Sequence, residues 1–144
     1  MTSSWEETKA AGMHLASLLP AKAIITLSGE LGAGKTTFVK GIVEGCTKIE
    51  SREVNSPTFT YVNSFSGNGH TIFHFDLYRL KNTQEFLAMG FDEYFDQGVC
   101  CIEWAEKIPE ILPNDRIHIE ILYKKQEGVR VIKIHPTHYD KNTF

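Results

Sequence analysis

The sequence predicts an α/β domain, and three observations carry that prediction. A β-branched run, AIITL, passes through a glycine-rich segment into a stretch whose apolar residues recur every three or four positions. Two alternating segments flank an Asn-Gly pair and two more flank KKQEG, which is hairpin patterning. Ser4 to Glu7 and Asn82 to Glu85 have the spacing of helix starts. At 144 residues the chain fits one domain, taken as residues 1–144, since domains run to about 150 residues each. Its 42% hydrophobic and 23% charged residues exclude disorder, collagen and coiled rods.

The first helix is capped by Ser4 and runs through TKAAGMHLASLL until Pro20 stops it, with Met13, Leu15, Leu18 and Leu19 facing the core. Ala23 to Leu27 is a short buried strand, broken by the glycines after it. From Lys35 the spacing of Phe38, Val39, Ile42, Val43 and Cys46 defines one face of a second helix. PTFTYVNSF and HTIFHFDLY pair about Ser66 to Gly69. Asn82 starts a helix through Phe86, Leu87 and Met89 that ends at Gly90. Gly98 then releases VCCIEW as another buried strand. RIHIEILYK and VRVIKIHP form a C-terminal β-hairpin whose outer face carries Arg, His, Glu and Lys.

A net charge of -3 argues against a surface that itself grips nucleic acid, because such binding needs clustered cations to neutralise phosphates. The acidic start MTSSWEETKA is unlike a secretory signal and no apolar run approaches a membrane span, so a cytoplasmic location is expected. Cys46, Cys100 and Cys101 make neither a CxxC pair nor a disulfide framework and read as reduced core thiols. His14, His70, His74, His118, His135 and His138 lack metal-ligand spacing, so no zinc site is expected.

The strongest motif is Gly29 to Thr36, GELGAGKT, which fits GxxxxGK[ST] and lies between a predicted strand and a predicted helix. In that context the glycines let backbone N–H groups turn around phosphate oxygens, and the helix N-terminus adds its positive end. Lys35 would reach the β- and γ-phosphates and the Thr36 hydroxyl would ligate Mg²⁺. Asp76, closing IFHFD, and Glu103, closing VCCIE, are strand-end acids that either cap the next turn or serve the metal. Ser56, Pro57 and Thr58 are a hairpin entry turn or a contact for the γ-phosphate. Residue type alone reads Trp104 as a half-buried core aromatic.

In one short chain, GELGAGKTT, NSPTF, HFDLYRL and IEWAE follow one another in the order found in the TsaE family of small bacterial ATPases, and the sequence resembles that family over nearly its whole length. The resemblance implies a three-layer P-loop NTPase fold on a mixed β-sheet, with ATP and Mg²⁺ as ligands. It also implies slow intrinsic hydrolysis in support of the TsaB–TsaD complex, which forms threonylcarbamoyladenosine on tRNA. Contact with tRNA would be indirect. By the same resemblance, Gly32, Ala33, Gly34, Lys35, Thr36 and Thr37 hold the phosphates, and Thr36 and Glu103 hold the metal. Asp76 assists hydrolysis, Ser56 and Thr58 belong to a switch-like loop, Trp104 stands near the nucleotide, and Thr8 touches the base. Glu30, Ala105 and Phe65 stand where the family more often has Asp, Pro and Tyr, and none of these removes a ligand.

The loop itself also fits a small-molecule kinase or a non-catalytic, nucleotide-gated binding module. A kinase clamps its second substrate with arginines, and here Arg52, Arg79, Arg116 and Arg130 are scattered.

Overall fold

A computed structural model describes residues 2, 4–30, 34–57 and 59–136. Gly32, Ala33 and Thr58, named above as nucleotide ligands, lie outside the described residues.

Six strands form one mixed sheet: β1 (Ala23–Gly29), β2 (Val62–Gly67), β3 (His70–Asp76), β4 (Val99–Glu103), β5 (Ile117–Lys124) and β6 (Val129–Pro136), in the order β2-β3-β4-β1-β5-β6. The four inner strands run parallel, and β2 and β6 close the edges antiparallel. Inner strands of a parallel sheet are buried on both faces, and β4 is accordingly buried along its whole length. On one face lie α1 (Trp5–Ala16) and α2 (Lys35–Thr47), packed over Ile25, Leu27, Ile72 and Cys101. On the other, α3 (Thr83–Ala88) and a 3-10 turn at residues 91–96 cover Ile24, Phe75, Cys100 and Ile102. Phe75, Phe86 and Phe91 meet there with ring centroids 5.5 to 5.9 Å apart.

Local chemistry accounts for the element ends. Ser4 Oγ accepts from the Glu7 N–H at 3.1 Å and Asn82 Oδ1 accepts from the Glu85 N–H at 3.0 Å, so both expected caps form. Asn82→Ala should therefore lower unfolding stability by about 1 kcal/mol, read as a shifted urea midpoint at unchanged slope. Asn68 and Gly69, with φ of 51° and 78°, make the two-residue loop between β2 and β3.

Three expectations are corrected. The first helix stops at Ala16, and Leu18 and Leu19 continue as tight i to i+3 turns to Leu15 and Ala16. The Met13 side chain is exposed rather than in the core, while its backbone lies against Gly41 and Gly45 of α2. The strand expected from Pro57 begins only at Val62. Pro57 and Tyr61 instead close a turn through a 2.9 Å hydrogen bond, with Tyr61 at φ 67°.

The cysteines are free and buried, and burial pushes the Cys100 thiol up to about 12 and the Cys101 thiol well above its ordinary range.

The outer face of the C-terminal hairpin carries His118, Glu120, Lys133 and His135 as expected, while Arg116 precedes β5, and His118 bonds Thr26 Oγ1 at 2.8 Å and Ser28 Oγ at 3.0 Å. Partial burial, then the stacked His135 ring, hold His118 below its ordinary value of 6.5. The unfolded chain then binds more protons than the folded one just below that value. Stability from this site is thus present above pH 6.5 and lost as pH falls toward the depressed folded value. Urea midpoints between pH 7 and 5 should fall less steeply in His118→Gln; an unchanged slope would count against the assignment.

Candidate functional site at the carboxyl edge of the sheet

The parallel strands β3, β4 and β1 end side by side. Asp76 and Glu103 are register partners, and Glu103 is also paired with Leu27, two residues before β1 ends at Gly29. Ligands of open α/β sheets gather at that edge, outside the carboxyl ends of the strands. A cavity of about 740 Å³ opens there, lined by Gly34, Lys35, Thr36 and Thr37 from the start of α2, by Ser56, Asp76, Glu103 and Trp104, and by Trp5, Glu30 and Tyr78.

The start of α2 differs from the other two helices. α1 and α3 each have a side-chain cap and acidic residues in the first turn; α2 has neither. Gly34, at φ 110°, takes the N-cap position, and a methyl group there would lie 3.4 Å from Arg130 Cδ and 3.5 Å from Thr8 Cγ2. The first N–H groups of a helix have no partner inside it, so this end offers donors and a positive dipole to an anion in the cavity.

Lys35 adds a formal charge. Its Nζ sits 5.2 Å from the centroid of the Trp104 ring, and no acid pairs with it among the described residues. Trp104 follows β4 directly with φ 63°, a left-handed backbone that a non-glycine residue adopts at a cost of about 1–3 kcal/mol. The ring of Tyr78 lies 5.0 Å from it, so the two aromatics form one wall.

The carboxylates are held differently. Asp76 accepts from Ser56 Oγ on Oδ2 at 3.0 Å and from the Tyr78 N–H on Oδ1 at 3.1 Å, which ties the strand end to the loop at Ser56. Glu103 is 5% exposed and bonds through Oε2 to Nε2 of the fully buried His74 at 2.6 Å. A hydroxyl and carboxylates are hard oxygen donors, the set that suits Mg²⁺. Thr36, Glu103 and Asp76 therefore fit that ion chemically.

Of the residues singled out in the sequence, Gly34, Lys35, Thr36, Thr37, Ser56, Asp76, Glu103 and Trp104 meet at this cavity. Thr8 is buried beside Gly34 and does not line it; its hydroxyl is hydrogen-bonded with Thr2 Oγ1 at 2.8 Å and donates to the Ser4 carbonyl at 3.1 Å. Four residues escaped sequence reading. Trp5 carries no motif, Tyr78 and His74 lie within HFDLYRL without a role of their own, and His74 stands out only as one of the histidines without metal-ligand spacing. Arg130, expected on a solvated face, is 7% exposed, with its guanidinium 4.1 Å from the Trp5 ring and 4.7 Å from the Tyr123 ring.

The family model described as "Threonylcarbamoyl adenosine biosynthesis protein TsaE" matches residues 2–132. The chain belongs to the TsaE family. Among TsaE relatives, the tRNA threonylcarbamoyladenosine biosynthesis protein TsaE of Bacillus subtilis is 46% identical over 117 residues, 81% of this chain and 72% of the relative. The protein of the same name from Aquifex aeolicus is 35% identical over 131 residues, covering 90% and 92% of the two chains. The crystal structure of Bacillus subtilis YdiB superposes with a TM-score of 0.79 at 37% identity, over 94% of this chain and 82% of that one. The family expected from the four ordered motifs is thus the one found, a family of tRNA threonylcarbamoyladenosine biosynthesis. No helix among the described residues is long and apolar enough to cross a membrane.

Proposed function

We propose that this chain is a P-loop ATPase that binds Mg·ATP at the carboxyl edge of its sheet and supports a TsaB–TsaD complex as it forms threonylcarbamoyladenosine on tRNA. One observation carries the reading: an uncapped helix start bearing Lys35 faces the strand-end acids Asp76 and Glu103 across a single cavity. Phosphates answer the first half of that arrangement and a divalent cation the second.

In this reading the amides from Gly32 to Thr37 surround the phosphates, and Lys35 leaves the Trp104 face to neutralise the β- and γ-oxygens. Thr36 and Glu103 hold magnesium, which when bound supplies charge stabilisation to those oxygens. Asp76, fixed by Ser56 and the Tyr78 amide, orients the attacking water in line with the β–γ bridge. Ser56 and Thr58 follow the state of the γ-phosphate, and because Ser56 bonds Asp76, loss of that phosphate is transmitted to the loop. Trp104 and Trp5 flank the nucleotide, and Thr8 supports Gly34 from behind.

No arginine lines the cavity among the described residues, and a charge of that kind supplies about 10³ to 10⁵ in rate elsewhere. Hydrolysis by the isolated chain should accordingly be weak and rise when TsaB and TsaD are added. Phosphate release measured with and without those partners tests this. Tight ATP binding with no hydrolysis in either condition would leave only the nucleotide-gated module. A labelled product other than phosphate, from labelled ATP and a metabolite mixture, would instead indicate a kinase.

A further inference from the structure

His74 has no place in the roles assigned above, yet it is bonded to a cavity acid, Glu103. It is fully buried, and Nε2 lies 2.6 Å from Glu103 Oε2, while Nδ1 has no hydrogen-bond partner among the described residues. The strand register produces the contact. His74 is paired with Cys101, and Glu103 stands two residues further along β4, so both side chains leave the sheet on the face that carries α2. A carboxylate accepts, so the proton of the shared bond resides on Nε2. A carboxylate only 5% exposed needs a donor to remain in place, and this one engages a single oxygen. Oε1 is left without a hydrogen bond among the described residues, in a side chain that lines the cavity.

We propose that His74 is a positioning residue: by donating Nε2–H to Oε2 it locks the Glu103 carboxylate in the one orientation that presents Oε1 to magnesium. The inference rests on the ATPase reading and deepens it, since it says how the metal-side acid is aimed. Without the imidazole, the carboxylate would turn among its rotamers or toward water, and metal affinity would fall while the phosphate loop stayed intact. Outer partners of metal ligands typically contribute about 10- to 100-fold in metal affinity or activity.

Two variants that differ by one methylene make the test. In His74→Gln the amide nitrogen reaches the place of Nε2; in His74→Asn it reaches only the place of Nδ1. Binding of ADP in EDTA, the Mg²⁺ concentration for half-maximal tightening of ADP, and the Mg²⁺ concentration for half-maximal hydrolysis would be measured on both and on the unmodified chain. The expected result is a 10- to 100-fold higher Mg²⁺ requirement in His74→Asn, ADP binding in EDTA within about twofold of the unmodified chain, and recovery to within about threefold in His74→Gln. Equal Mg²⁺ requirements in all three proteins would overturn the proposal. Equal losses in both variants that extend to ADP binding in EDTA would also overturn it, because that is the pattern of a packing role. Nitrogen NMR of the ligand-free, unmodified protein gives a reading that needs no variant to fold: His74 should be the Nε2–H tautomer, and the Nδ1–H tautomer contradicts the bond. Failure of the unmodified chain to bind ADP at all would overturn the ATPase reading, and the positioning role with it.

Discussion

Lys35→Ala should abolish detectable ATP turnover and leave the protein folded. The ammonium rests 5.2 Å from the Trp104 centroid with no acid paired to it among the described residues. A partly exposed cation–π contact contributes about 0.5–1 kcal/mol, so its loss barely moves stability. A positioned charge that acts on the developing charge of the transition state is a different matter, and removing one such donor costs about 10²–10³ in rate. Since hydrolysis is expected to be slow at the outset, that loss takes it below detection. The melting temperature should stay within about 2–4 °C, the shift that about 1 kcal/mol makes in a chain of this size. Normal turnover in the variant would refute the role, and a collapsed melting temperature would mean that Lys35 is structural.

Gly41→Val should have the opposite signature, a severe loss of stability from a residue that touches no ligand. A methyl group built on Gly41 would lie 2.1 Å from the Lys9 carbonyl oxygen and 3.0 Å from the Met13 nitrogen, and one on Gly12 would lie 2.2 Å from the Phe38 carbonyl oxygen. α1 and α2 therefore meet backbone to backbone, and no rotamer change relieves a branched side chain between them. The helices would have to separate over a close-packed interior that includes Leu15, Phe38 and Ile42. Valine is a better helix former than glycine by only a few tenths of a kcal/mol, so that gain does not offset the clash. A cost of about 3–4 kcal/mol, or roughly 10 °C, is expected in a thermal melt. An unchanged melting temperature would show that the two helices do not pack in this way. The contact has a functional consequence, because α1 brings Trp5 to the cavity and Thr8 to Gly34.

Much of this was legible in the sequence because it is locally encoded. The Ser4 and Asn82 caps, the Asn68-Gly69 loop and the change of period at Lys35 each depend on residues within a few positions of one another. The cavity was half legible for the same reason: the glycine-rich segment and the strand-end acids are local signals of a shared edge. What was hidden depends on register and packing across the chain. His74 and Glu103 are 29 residues apart, and only the β3–β4 pairing brings them within 2.6 Å. Arg130 stands two residues before Ile132, which packs on the core, so it leaves β6 on the inward face, where Trp5 of α1 and Tyr123 of β5 close over it. Met13 follows the apolar period but its side chain is exposed, because it is the Met13 backbone that lies against Gly41 and Gly45 of α2.

The central claim is that the uncapped start of α2 and the acids across from it form a site for magnesium and a nucleotide. Calorimetric titration of the purified chain with Mg·ATP, alongside Lys35→Ala, tests it most directly. The unmodified chain should bind one nucleotide saturably, with a change in tryptophan emission as Lys35 leaves the Trp104 face, and both should be lost in the variant. No saturable heat at millimolar nucleotide, or equal binding by Lys35→Ala, would contradict it.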